Sequence, residues 1–244
     1  MLDHNALRPQ EVLRDCDWPK SWRVVRGGAK NYLHSFSGFE FVSALSTYLV
    51  NDELRKKNLE LVSRNRSLPL SELDLAEIRN LSWDKSSENH IKNLRTAEGY
   101  GLTIKLRELH RNSSEAKQVV DPFLEFLSEP VGLNLYYTTP NSGMAIPAHR
   151  DAGDIFILQV SGAKKWFLEP VVSSADVFND PKAETILTDE ITLSQGDLLF
   201  VRQQTAHRTE TIGDDDSLHL TIQGNSNVAL WLSDSLRYWF QGTS

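Results

Sequence analysis

The sequence predicts one mainly β domain with added helices, an antiparallel sandwich or barrel of the jelly-roll kind. Three observations predict it. At 244 residues the chain can enclose a single sizeable core. From Pro130 onward short apolar runs with a period of two follow one another, divided by Gly, Pro, Asn or Asp, with no helical stretch between them. Helical spacing is confined to the first half and to the last residues.

Pro19 to Gly28 looks like a short strand closed by a glycine turn. Phe39 to Leu54 places Phe41, Leu45, Tyr48 and Leu49 at helical spacing and predicts a scaffold helix. Between Asn51 and Glu98 charges are dense and apolar groups scattered, which predicts short helices and loops. Gly101 to Leu106 alternates as a strand does. Ala116 to Leu127 carries Val120, Phe123, Leu124 and Leu127 on one helical stripe. The later strands are expected at Val131 to Thr138, Asp154 to Val160, Lys164 to Leu168, Thr185 to Leu193, Asp197 to Gln203 and Ser217 to Gln223, with a hairpin loop at Asp214 to Asp216 and an amphipathic helix at Val228 to Phe240. The organisation expected is one domain over 1–244: a helical and strand scaffold over 1–129, a barrel core over 130–224 and a terminal helix over 225–244.

Composition narrows the partners. A formal charge of −7 and a pI near 5.5 argue against a protein that binds by neutralising phosphates, so no direct nucleic-acid ligand is expected. Cys16 is the single cysteine, which rules out an internal disulfide and gives no sign of secretion. The start lacks a basic stretch followed by an apolar run, and no apolar run is long enough to span a bilayer, so a cytoplasmic protein without a membrane partner is expected.

Chemistry is concentrated in the barrel segment. On an extended backbone His149 and Asp151 project to one face and can converge on one point, as do many ordinary strand pairs. His207 raises the signal, because it follows a strand launched by Gly196-Asp197. Two histidines and one carboxylate on one side of a metal leave half of an octahedral sphere open, the arrangement non-haem iron(II) oxygenases use to admit a co-substrate and dioxygen. A structural zinc site would want a closed ligand set, usually with thiolates, which a single cysteine cannot supply.

Taken in order, Asn134-Leu135-Tyr136, His149-Arg150-Asp151, Asp154 to Trp166, the Gly-Asp strand ending at His207, and Ser217-Leu218-His219-Leu220-Thr221 resemble the Jumonji-C/cupin-4 oxygenases of the ribosomal-oxygenase type. The likeness covers roughly residues 130 to 224. It implies a double-stranded β-helix that binds iron(II) through His149, Asp151 and His207, and couples oxidation of a substrate by dioxygen to decarboxylation of 2-oxoglutarate. It also implies that Lys164, in the Gly-x-Lys-x-Trp stretch, receives the far carboxylate of 2-oxoglutarate. Lys165 is the rival, but alternation sends the two lysines to opposite faces.

Asn134, Tyr136 and Thr221 lie on the polar faces of their strands and, by the resemblance, help to hold 2-oxoglutarate; an ordinary structural hydrogen bond is the competing role for each. His219 reads as lining the cavity, because a further protein ligand would close a position the reaction needs. Asp154 is given a supporting role, Trp166 is expected to pack inside the barrel, and His4, His34, His90 and His110 read as surface or packing residues.

The resemblance implies hydroxylation of a peptide or protein side chain, with N-demethylation as the other outcome within its chemistry; a small amino-acid derivative or a peptide natural product stays open as substrate, as does the oligomeric state. Two departures are visible. The sequence ends at Ser244, where ribosomal oxygenases continue into a helical dimerisation region and a winged-helix-like domain, so those regions are expected to be lacking, and Arg202 stands where many relatives have proline. Two other classes remain: a cupin-type metalloenzyme acting on a small molecule without 2-oxoglutarate, which would keep the triad but not need Lys164, and a non-catalytic binding module on the same barrel.

Overall fold

The computed structural model of the protein describes residue 9 and residues 21–30, 32–33, 36–63, 66–67, 102–127, 130–139, 148–170 and 187–224. The architecture is mainly β with added helices, a double-stranded β-helix built from a large and a small antiparallel sheet. Strand β1 (Trp22–Val25) is followed by helices α1 (Gly38–Val50) and α2 (Asp52–Lys57), strands β2 (Leu59–Ser63), β3 (Arg66–Ser67) and β4 (Thr103–Leu106), and helix α3 (Ser114–Leu127). The barrel then runs through β5 (Val131–Thr138), β6 (Ile155–Ser161), β7 (Ala163–Leu168), β8 (Asp189–Ser194), β9 (Leu198–Val201), β10 (His207–Thr211) and β11 (Ser217–Gly224).

The large sheet has the order β1-β9-β6-β11-β5-β4-β2-β3, and the small one β10-β7-β8. Alternation assigns each face of the large sheet its own task. Leu133, Leu135 and Tyr137 of β5, Phe156, Leu158 and Val160 of β6, and Leu218, Leu220 and Ile222 of β11 form one core with Phe41, Leu45 and Tyr48 of α1 and Val119, Val120 and Phe123 of α3. Opposite-parity residues face the small sheet, where Ile155, Ile157, Leu199 and Val201 pack on Trp166, Leu168, Ile191 and Leu193. The polar residues of β4, β5 and β11 share that inner face and leave one end of the barrel hydrophilic.

Four sequence expectations change. The helix expected over Phe39 to Leu54 breaks at Asn51, whose extended backbone and side-chain oxygen cap α2 by accepting from Glu53 and Leu54 N–H groups. Leu59 to Val62, expected among helices and loops, forms β2 and pairs antiparallel with β4, a contact that local composition cannot show. His207, expected just beyond the end of the strand launched by Gly196-Asp197, opens a strand of its own, β10, which pairs with β7 from His207↔Leu168 to Thr211↔Lys164. Asp214 to Asp216 carry the chain from the small sheet to the large one rather than closing a hairpin.

The glycine-closed strand before Gly28, the helix before Leu127 and the strands from Val131 appear near their expected bounds. The expected helix at Val228 to Phe240 and residues 68–98 lie outside the described residues. Gly162 makes the β6–β7 turn with φ +64, and a Cβ there would sit 1.9 Å from the Asp216 carbonyl oxygen, so two requirements select glycine. No described helix is long and apolar enough to cross a membrane.

Candidate metal centre and its cavity

His149 and His207 form an isolated antiparallel bridge, each N–H donating to the other's carbonyl at 3.1 and 2.9 Å. Gln204 N–H donates to the Asp151 carbonyl at 2.9 Å, so the segment 149–151 is stitched to the approach to β10. The side chains follow the backbone. The imidazoles of His149 and His207 lie 4.5 Å apart between centroids, His207 Nε2 is 3.4 Å from Asp151 Oδ2, and Gln223 Nε2 donates to Asp151 Oδ1 at 3.4 Å. One potential ligand atom from each of His149, Asp151 and His207 falls within 4.8 Å of the others.

Ligand bonds of about 2.1 Å set neighbouring donors about 3 Å apart and opposite ones about 4 Å apart, so the three side chains fit one ion. His207 Nδ1 lies 3.0 Å from the Thr205 carbonyl oxygen, which can only accept; Nδ1 therefore carries the proton and Nε2 presents its lone pair to Asp151 and His149. Burial, with His149 adding to it and Asp151 opposing it, pulls His207 down to about 4, so the ring is a neutral donor at ordinary pH.

The three residues line a cavity that is partly open to solvent. Tyr136 stacks on His219 at 4.8 Å and 4°, and Trp166 meets His219 edge-on at 5.7 Å. Thr221 from β11 and Thr103 from β4 complete the polar wall, while Arg208 and Thr209 contribute from β10. His219 is held well below its ordinary range by burial, with Lys164 and Lys105 adding to the effect, so it too is neutral. His219 Nδ1 and Trp166 Nε1 are buried without a hydrogen-bond partner among the described residues. Such orphaned groups suit an oxygen-bearing ligand in the cavity.

Lys164 and Lys165 diverge as alternation requires. Lys165 turns outward to Glu190 at 3.2 Å. Lys164 is 3 % exposed, lines the cavity and donates to Thr138 Oγ1 at 2.9 Å. Burial pulls its ammonium down to about 7. Tyr136 and Thr221 also line the cavity, whereas Asn134, opposite Thr221 in the β5–β11 register, uses its Oδ1 to accept from the Glu108 N–H at 3.3 Å. Asp154 accepts from Gln203 N–H at 2.8 Å, and His110 Nδ1 accepts from Leu133 N–H at 3.3 Å. His4, His34 and His90 lie outside the described residues.

Sequence reasoning missed Thr138, although its parity with Tyr136 was the available signal. It also missed the ion pair between Arg150 and Glu169, at 2.6 Å and with side chains only 9 % and 6 % exposed. Glu169 further exchanges hydrogen bonds with Ala206, its backbone N–H donating to Ala206 O at 3.0 Å and its Oε2 accepting from Ala206 N–H at 3.1 Å. No local pattern announces that pair.

Comparison with known proteins agrees with this geometry. Ribosomal oxygenase 2 of Rattus norvegicus is 33% identical over 140 residues, covering 55% of this chain and 30% of that protein. The bifunctional lysine-specific demethylase and histidyl-hydroxylase NO66 of Drosophila sechellia is 32% identical over 130 residues, covering 50% of this chain and 20% of the relative. This chain thus spans less than a third of the length of either relative. Among solved structures, YcfD, a ribosomal oxygenase from Escherichia coli in complex with cobalt and 2-oxoglutarate, superposes with a TM-score of 0.59 at 16% identity, over 94% of this chain and 55% of YcfD, a likeness of fold. The model of the JmjC domain matches residues 106–230, from the last residue of β4 past the end of β11, so the segment that carries the triad and its cavity places this chain in the JmjC domain family.

Proposed function

We propose that this chain is an iron(II)- and 2-oxoglutarate-dependent oxygenase that hydroxylates a side chain of a protein or peptide, releasing succinate and CO2. One observation carries the reading: a one-sided triad of metal donors shares a cavity with a buried lysine that has no anionic partner among the described residues. His149, Asp151 and His207 are the proposed iron ligands. Lys164, oriented by Thr138, is the proposed seat of the far carboxylate of 2-oxoglutarate. Support comes from the relatives named lysine-specific demethylase and histidyl-hydroxylase and ribosomal oxygenase, and from YcfD, which is solved in complex with cobalt and 2-oxoglutarate.

Bound iron, 2-oxoglutarate and dioxygen supply the oxidation of a C–H bond that no protein side chain can perform. The chain's own residues prepare the place. Lys164 meets an incoming carboxylate with no competing anion among the described residues, and Thr138 keeps its ammonium aimed at the cavity. Tyr136, His219 and Trp166 form an aromatic wall that excludes water. Thr221 presents a hydroxyl beside them, and Asn134, opposite Thr221 in the register with its Oδ1 accepting from the Glu108 N–H, is the further proposed contact to 2-oxoglutarate.

Anaerobic titration of the iron-loaded protein with 2-oxoglutarate tests this reading. A weak visible charge-transfer band is expected in the wild type and is expected to vanish in His149→Ala and Asp151→Ala. A band retained in both variants overturns the ligand assignment, unchanged co-substrate turnover in Lys164→Ala removes Lys164 from the co-substrate site, and failure of the iron-loaded wild type to bind or turn over 2-oxoglutarate turns the reading toward a cupin-type metalloenzyme without it.

A further inference from the structure

Besides Lys164 on the small sheet, Lys105 lies on the inner face of the large one, and the reading above gives it no task. It alternates on β4 with Ile104 and Leu106, both fully buried on the helix side, so its side chain leaves toward the side on which Thr103 lines the cavity. It faces Tyr136 in the register, with Nζ 5.0 Å from that ring's centroid. Among the described residues it forms no hydrogen bond and no ion pair, since its neighbours Arg107 and Glu60 are paired with each other at 2.6 Å. Burial lowers Lys105, Arg107 lowers it further, and Glu60 and Asp151 oppose them. A half-buried ammonium compensated mainly by an aromatic face lacks an anion.

Charge in the cavity points the same way. Among the described residues that line it, the charged groups besides the imidazoles are Lys164, Asp151 and Arg208, the last paired with Glu210, and Lys105 stands next to the lining through its contact with Tyr136. A divalent ion and a dianionic co-substrate cancel each other, as do Lys164 and Asp151, which leaves the charge of Lys105 beside the loaded cavity unmatched. Lys164 is committed to the far carboxylate. Lys105 is not.

We propose that Lys105 is a specificity-determining residue that pairs with a carboxylate on the prime substrate, so that the cavity favours an acidic side chain over its amide counterpart and over a cationic one. This rests on the oxygenase reading and assigns it a substrate class. The same cation could instead serve the metal-binding carboxylate of 2-oxoglutarate, and the test separates the two sources.

The probe is a set of capped Gly-Xaa-Gly tripeptides with Asp, Asn or Lys at the centre, added to protein holding Mn(II) and 2-oxoglutarate. Paramagnetic broadening of the tripeptide proton signals reports binding beside the ion without turnover. The Asp peptide is expected to bind roughly ten-fold tighter than the Asn and Lys peptides, the range of a partly desolvated charge pair. Lys105→Arg is expected to keep that preference and Lys105→Met to abolish it, while 2-oxoglutarate affinity by calorimetry falls in Lys164→Met but not in Lys105→Met. Equal broadening by all three peptides, or by none, overturns the proposal even if Lys105→Met fails to fold. Weakened 2-oxoglutarate binding in Lys105→Met overturns it by reassigning the cation to the co-substrate. Failure of Mn(II) and 2-oxoglutarate to bind the wild type overturns the oxygenase reading and this proposal with it.

Discussion

The ammonium of Lys164 hydrogen-bonds Thr138 Oγ1 at 2.9 Å across the barrel, and that hydroxyl also lies 3.1 Å from Thr103 Oγ1. A cation from the small sheet is thereby held by neutral oxygens of the large one. This satisfies direction but not charge, and burial pulls the amine down to about 7.

A pH dependence follows. The unliganded amine releases its proton near pH 7, whereas a bound carboxylate requires it charged, so 2-oxoglutarate affinity is expected to be flat below about pH 7 and to fall about ten-fold per pH unit above it. Calorimetry in buffers of different ionisation enthalpy should show proton uptake on binding above pH 7. Release of protons instead would count against Lys164 as the carboxylate's partner.

The same residue has an opposite effect on the unliganded fold. Its folded value lies below the ordinary 10.5, so the unfolded chain holds the proton more tightly. The resulting destabilisation is complete below pH 7 and fades as pH rises toward 10.5. Lys164→Met keeps the volume and removes the charge. At pH 6.5 to 7 it is expected to raise the urea midpoint of the unliganded protein, by about 1 kcal/mol or more in stability, while losing 2-oxoglutarate binding.

Arg150 lies between two proposed ligands, and its partner Glu169 is hydrogen-bonded through both backbone and side chain to Ala206, which precedes the third. The pair therefore clamps the two ligand-bearing segments together. Arg150→Ala or Glu169→Ala is expected to cost about 3–5 kcal/mol by removing the counterion of a buried charge. Metal titration of these variants should show weakened affinity as well. The double change Arg150→Met with Glu169→Met is expected to recover most of the stability in chemical denaturation but not the full metal affinity.

Metal binding should report on the fold. An ion that binds only the native state at about one hundred times its dissociation constant adds about 2.7 kcal/mol, visible as a rise in Tm with Mn(II) or Co(II). His207→Ala is expected to abolish that rise. Lys164→Met, whose charge lies away from the donors, should retain it.

How much of this the sequence disclosed depends on the range of the interaction. Strands β5 to β9 and β11 were legible because each presents a period-two pattern to two different environments, and His149 with Asp151 were legible because their spacing matches that period. β10 was not, since His207 to Thr211 is polar on both faces and becomes a strand only by pairing with β7. β2 depended likewise on β4, more than 40 residues away. The Arg150–Glu169 pair joins residues whose relationship exists only after the barrel closes. Lys105 was hidden for a different reason: a lysine on a short strand reads as solvated until Tyr136 is placed beneath it.

The division of β5 between two cores bears on how this protein can change. Tyr137 belongs to the greasy layer under the helices and Tyr136 to the reaction chamber, although they are adjacent in the chain. Losing or gaining one residue between Val131 and Thr138 would exchange these roles for everything downstream on the strand, driving Thr138 into hydrocarbon and Leu135 toward the ion. Evolution can therefore edit the chemistry of this wall letter by letter, but it cannot alter its spelling length.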